Sequence, residues 1–307
     1  MPGLYNLKGV DDVAGMAPFV APLYVDTVNG RAGNTGASWE EAFATMAAAL
    51  SAVQTGGTIY FIGDVREECV GSNLKFDVKI IGAGSLHHPD LPAAGYHPAS
   101  STWRPPASPT SATPLLKVRA RGWKFENIFF DCPVDSAALY LERNALSGTS
   151  EYDPSHASII NCRFVDGKYA IQDVGGCYNV TVKGCEFKAF TTAAIANTST
   201  AVANPLNWKI IDCIFPADTS DFGNVTHLDS PLNSSILKGN IFAKVRSTAV
   251  YIDLTGGNNN VVTYNTLGGE YHTANYVPGT GDEWMQNACA VTATTAPDGI
   301  SIAVPAA

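Results

Sequence analysis

Residues 158–190 read SIINCRFVDGKYAIQDVGGCYNVTVKGCEFKAF, and within them IINCRF returns as VKGCEF with the cysteine in the same place. The phrase follows a rule: two apolar or mixed residues, then Asn, Asp or Gly, then Cys or Asn, one variable residue, and Phe. It recurs as WKFENIFF (123–130), ASIINCRF (157–164), VTVKGCEF (180–187), WKIIDCIF (208–215) and SILKGNIF (235–242), and more weakly as VVTYNTL (261–267). Cys162, Cys185, Cys213, Asn240 and Asn265 follow one another at intervals of 23, 28, 27 and 25 residues. Within each phrase the side chains alternate two by two, as they do along a strand.

A second, mostly apolar piece follows each Phe: AALYL (137–141), YAIQD (169–173), AAIAN (193–197), THLDS (226–230) and AVYID (249–253). Gly, Asn and Asp then turn the chain toward the next phrase. A repeat of this length with two or three short strands is one coil of a parallel β-helix, in which equivalent strands stack at about 4.8 Å. A coil cannot bury its own inward face, so the core exists only when neighbours stack. Cys162, Cys185 and Cys213 are then expected to share one inward site on three consecutive coils, with Asn240 and Asn265 continuing the column through their amides. The chain has seven cysteines and no CxxC pair, which suits free, buried thiols rather than a disulfide framework or a zinc site.

Rungs from about residue 58 to about 267 predict an all-β solenoid of about eight or nine coils. In SWEEAFATMAAALSAVQTGG (38–57), Trp39, Phe43, Met46, Leu50 and Val53 share one helical face, with Ser38 and Glu41 as a capping box. This reads as an N-terminal capping helix over the open end of the stack. Residues 86–114, rich in Pro, Ser and Ala, read as a long excursion. The expected layout is an extended arm at 1–22, cap plus β-helix at 23–267, and a non-repetitive tail at 268–307.

The chain resembles the right-handed parallel β-helix proteins of the pectin-lyase-like class. YVDTVNGRAGNTGASWEEAFATMAAAL looks like their shared entry segment of strand, Gly/Asn loop and capping helix. LLKVRARGWKFENIFFDCP, YAIQDVGGCYNVTVKGCEF and the ISIAVPAA ending look like phage-encoded β-helix proteins of virus particles. This fold carries enzymes, adhesins and structural proteins alike, so the resemblance implies architecture before activity.

A formal net charge of −9 argues against binding nucleic-acid phosphates, and no apolar run is long enough to span a membrane. The opening MPGLYNLKGVDDVAG lacks the pattern of a secretory signal, which points to a virus particle assembled in the host cytoplasm. The carboxylates that could carry chemistry stand at the ends of the second-strand pieces. Asp173, Asp229 and Asp253 lie on separate coils, with Asn197 between, and Asp229 and Asp253 are expected about 5 Å apart. Stacked turns also place Asp and Asn at such positions for their own backbone hydrogen bonds. Lys117, Arg119 and Arg121 alternate along one strand and face an acidic partner, a sugar acid or solvent. His87, His88 and Asp90 form a candidate metal group, with a plain surface loop as the alternative, and no cofactor is expected. The leading expectation is a non-enzymatic capsid decoration or cement protein, trimeric and docked on the major capsid protein. The alternative is a polysaccharide lyase or hydrolase of tailspike type using the outward Asp residues. A third reading is an adhesin that stacks a surface polysaccharide on Trp103.

Overall fold

The computed structural model describes residues 20–84, 100–108, 112–144, 152–198, 204–216, 224–243, 250–268, 275–289 and 300–301. The chain winds through three parallel faces, one strand per face per turn. Face A includes Lys124–Glu126, Ser158–Ile160, Thr181–Lys183 and Lys209–Ile211. Face B includes Phe129–Asp131, Arg163–Val165, Glu186–Lys188 and Ile214–Phe215. Face C runs from Cys69–Val70 through Ala137–Glu142, Tyr169–Val174 and Leu228–Asp229 to Tyr276–Val277, eight strands among the described residues. Every strand pairing between successive windings is parallel and in register, as with Ile159 beside Val182 and Phe164 beside Phe187.

The repeated phrase is the corner between faces A and B. Its Asn, Asp or Gly takes a left-handed backbone: Asn127 (φ 58°), Asn161 (50°), Gly184 (63°), Asp212 (54°) and Gly239 (70°). These residue types tolerate that conformation at least cost. The turn drives the next residue inward, so Cys162, Cys185 and Cys213 are buried one above another. The phrase's Phe then points inward from face B. Phe130, Phe164, Phe187, Phe215 and Phe242 stack with ring centroids 4.8, 5.1, 4.8 and 4.7 Å apart. Each such ring, fully withdrawn from water, contributes about 2–3 kcal/mol.

The column past Cys213 is a ladder of amides. The Cys213 N–H donates to Asn240 Oδ1 at 2.9 Å, that of Asn240 to Asn265 Oδ1 at 2.8 Å, and that of Asn265 to Asn287 Oδ1 at 3.0 Å. Asn287 lies beyond the expected end of the repeat. Glu283–Met285 and Ala288–Cys289 extend faces A and B in register, so the boundary at 267 is too early and residues 275–289 belong to the stack. The phrase there, WMQNAC (284–289), carries Cys289 at the position of the Phe, which removes the strongest mark of the repeat.

The cap is also shorter than its periodicity suggests. The helix is Met46–Ala52, N-capped by Thr45, whose hydroxyl accepts the Ala48 N–H at 3.3 Å. Phe43 cannot join it, because its N–H donates to Tyr24 O at 2.9 Å and its C=O accepts from Asp26 N at 3.0 Å. Ser38 Oγ accepts the Glu41 N–H at 3.3 Å, but in a turn rather than a helix, and Trp39 is partly exposed. The excursion is interrupted too: Ser101–Arg104 is a strand of face B beside Gly63–Arg66.

Candidate functional site

Outside the core, face C presents one column whose chemistry changes along the rod. Lys117, Tyr140, Gln172, Ala196, Asp229 and Asp253 stand in register on consecutive windings, about 4.8 Å apart. Between Val70 at one end and Val277 at the other, the column passes from a cation and a phenol through an amide and a methyl to two carboxylates. Ala196 belongs to a small apolar cluster outside the main core, with Ala137, Tyr169 and Ala193. The cluster is buried, and burial followed by the charge of Asp229 raises the Tyr169 phenol above the ordinary value.

Asp229 and Asp253 are therefore direct neighbours, as expected. Partial burial, and then the charge of Asp253, raises the Asp229 carboxyl above the usual carboxylate range, although its side chain reaches solvent. Asp253 Oδ1 accepts the Thr255 N–H at 2.8 Å. A carboxyl raised in this way is suited to hold a proton for acid chemistry.

Asp173 does not join them. It is paired with Leu141 and Asn197, one register position later than Gln172, and so faces the interior. A slip of one residue exchanges the two sides of a strand. Asp173 is 1% exposed and accepts Cys177 N–H at 3.1 Å and Asn197 Nδ2 at 2.8 Å. Burial raises its carboxyl in spite of these donors. The sequence signal that separates the two columns is the inward Ile171, Ile195, Leu228 and Ile252: aligned on these, Asp229 and Asp253 come one residue after the anchor and Asp173 comes two.

The three cations of KVRARG do share one side of their segment, with Leu116, Val118 and Ala120 buried between them. Arg119 pairs with Glu142 at 2.6 Å and lies over the Tyr152 ring, 4.3 Å from its centroid. Arg121 Nε donates to Asp153 at 2.5 Å. Lys117 lies 5.8 Å from the centre of the Tyr140 ring. Trp103 is fully buried, stacked 6.1 Å from Phe130, with its Nε1 donating to Glu67 O at 2.9 Å; the carbohydrate platform expected there is ruled out. His227 is likewise internal, between Asn224 and the Ala243 carbonyl. His87, His88 and Asp90, with Lys244 and Arg246, lie outside the described residues. Among the described residues no three carboxylate, imidazole or thiol groups gather as a metal ion requires.

The thiol column offers no nucleophile. Burial pushes the Cys185 thiol well above its ordinary value, and contact with Cys185, then burial, does the same at Cys213. A thiol held protonated is inert.

A second surface was not anticipated from the sequence. The outward column of face B runs Arg163, Glu186, Ile214, Ile241, Thr266. Its first two members form a salt bridge at 3.2 Å. Beyond them the column itself is uncharged, with Ile214 44% and Ile241 43% exposed, while at the adjoining corner Asp212 is exposed and Tyr264 lies under the Lys238 ammonium at 5.6 Å.

No family model matches the chain, and no curated protein matches it in sequence. Among solved structures it is similar to tailspike protein 2 of Escherichia coli O157:H7 bacteriophage CAB120, with 12% identity over 83% of this chain and a TM-score of 0.52. The fold is a right-handed parallel β-helix. The chain is also similar to a GH136 lacto-N-biosidase from Eubacterium ramulus (12% identity, 86% of this chain, TM-score 0.49). A third similar structure is the tailspike of E. coli bacteriophage HK620 in complex with a pentasaccharide (12% identity, 81% of this chain, TM-score 0.48). This chain spans 32%, 60% and 52% of the length of those three proteins.

Proposed function

We propose that this protein is a structural component of a bacteriophage particle, a decoration or cement rod that docks on the major capsid protein and associates with copies of itself as a trimer. The observation that carries this reading is the uncharged outward column of face B at Ile214, Ile241 and Thr266, with the exposed Tyr264 ring at its edge. Exposed β-branched and aromatic side chains in one strip, next to a salt-bridged half, have the character of a protein–protein contact rather than a solvated face. The likeness in fold to a phage tailspike supports a place on a virus particle. The test is co-sedimentation of purified protein with shells assembled from the capsid protein of the same particle. Binding that is lost in the double variant Ile214→Asp, Ile241→Asp supports the reading, and protein that stays in the supernatant overturns it.

A second reading is favoured by a different observation. Asp229 and Asp253 stand side by side on adjacent windings, a strand spacing compatible with a retaining carboxylate pair. Here Asp229 is the proton donor and Asp253 the nucleophile. Reducing ends released from a surface polysaccharide, and abolished by either Asp229→Asn or Asp253→Asn, would establish this activity.

A further inference from the structure

The N-terminal end of the solenoid is sealed unequally. On face A, the first winding is covered by an added strand, Leu23–Asp26, paired in parallel with the start of Thr58–Arg66. Face C begins with Cys69–Val70, which among the described residues pairs only with Leu116–Val118. The N–H groups of Cys69 and Gly71 donate to Leu115 O at 2.7 Å and Lys117 O at 2.8 Å. In a parallel ladder alternate residues use both backbone groups on the same side. The N–H and C=O of Val70 therefore point the other way, toward the end of the rod.

On that side lies a groove of about 480 Å³. Ala47, Leu50 and Ser51 of the capping helix form one wall and Cys69, Val70 and Gly71 the other, with Glu68 and Arg119 also on the lining. Val70 is 53% exposed. Lys75 also lines it and donates to the carbonyls of Leu50 at 2.8 Å and Ser51 at 2.7 Å, which uses two of its three donors.

We infer that this groove accepts an extended polypeptide segment from another protein, which adds to face C as a further parallel-sheet strand against Val70. The fold itself closes the equivalent edge of face A with a strand. The open edge of face C continues a ladder whose register is already set, and an open edge is a template for such addition. Leu50 and Val70 select alternating apolar side chains, and Lys75 and Arg119, two cations against the one carboxylate of Glu68, select an acidic residue among them. The inference goes beyond the proposed particle role and stands without it: it names a mode of contact, and its test uses no capsid.

The probe is the blocked pentapeptide TVEVT, titrated into the full chain while Val70 amide exchange is followed. Expected are saturable binding and a Val70 amide that exchanges freely alone but is protected in the complex. Methylating the alternate backbone amides of the peptide in turn should abolish binding for one set and spare the other, because a strand pairs through one edge only. Replacing Glu with Lys (TVKVT) should weaken it several-fold, on the order of a surface ion pair. Val70→Pro removes the groove-facing N–H and replaces the exposed isopropyl group with an apolar ring, a substitution that edge strands tolerate. It should weaken binding about tenfold with an unchanged denaturation midpoint. If Val70→Pro fails to fold, the methylated peptides decide. Binding that survives methylation of either set, or a Val70 amide unprotected at saturating peptide, overturns the inference.

Discussion

Asn240 does three things at once: its Oδ1 accepts the Cys213 N–H, and its Nδ2 donates to Ile210 O at 2.9 Å and Asn265 Oδ1 at 3.0 Å. Truncation to alanine leaves a donor and an acceptor buried and unpaired, and should cost roughly 2–4 kcal/mol in urea denaturation. Cysteine, which fills the same site one winding earlier, should restore part of that loss because its sulfur is a weak acceptor. An order other than Asn, Cys, Ala would show that the column is held by packing alone. His227 supplies a different readout. Burial among Phe215, Phe242 and Tyr251 lowers its imidazole to about 4, and it is held neutral with Nε2 2.6 Å from Ala243 O. Between pH 6.5 and about 4 the unfolded chain takes up a proton here that the folded chain refuses. Stability is therefore intact above pH 6.5 and falls as the pH drops through that window, by roughly 3 kcal/mol in all. His227→Gln should flatten that part of the stability profile, and a slope of unchanged size would assign the acid sensitivity elsewhere. At this scale the sequence was readable where spacing and residue type agreed, as in the Cys and Asn column. It misled at Asp173, because that residue stands two after its inward anchor Ile171, whereas Asp229 and Asp253 stand one after Leu228 and Ile252, and a shift of one residue exchanges the two sides of a strand.

The cap shows why a helix boundary is harder to read than a helix face. Met46, Leu50 and Val53 are buried as their period requires, yet what fixes the first turn lies 21 residues downstream. Glu67 accepts the N–H of Met46 through one carboxylate oxygen and that of Ala47 through the other, each at 2.8 Å. Lys75 closes the opposite end on the Leu50 and Ser51 carbonyls. The first winding thus holds the helix with an anion at its N-terminus and a cation at its C-terminus, each matching the helix dipole. Propensity and capping rules see only local residues, so neither partner could be inferred from residues 38–57. Glu67→Gln keeps the shape but loses the charge, and should cost about 1 kcal/mol. The loss should appear as faster amide exchange within Met46–Ala52, while the Phe stack far along the rod keeps its protection. Uniform loosening of the whole chain would mean that cap and stack unfold as one unit.

Taken whole, the molecule is a stack in which each winding touches chiefly its neighbours, and this is why so much of the fold was visible as repetition. Its surfaces were not visible in that way. Alternation marks Ile214 and Ile241 as outward without saying what they meet, and only the register of face B shows them continuing the line of Arg163 and Glu186. In a closed assembly around an axis parallel to the rod, the column that lines the axis meets its own copies at the same height, so like charges repel there and an uncharged column is permitted. The neutral half of face B meets that condition and the half with Arg163 and Glu186 does not. A trimer should therefore form through the C-terminal half of the rod, with a mass in light scattering of three chains of 32.4 kDa. Raising the salt concentration should leave that mass unchanged, since an apolar contact is not screened. Ile214→Asp with Ile241→Asp should return it to one chain while the denaturation midpoint stays within about 0.5 kcal/mol of the parent, as exposed sites allow. A parent chain that remains single at concentrations far above those of shell binding would remove self-association from the proposal. The uncharged strip would then be left with the capsid surface as its occupant.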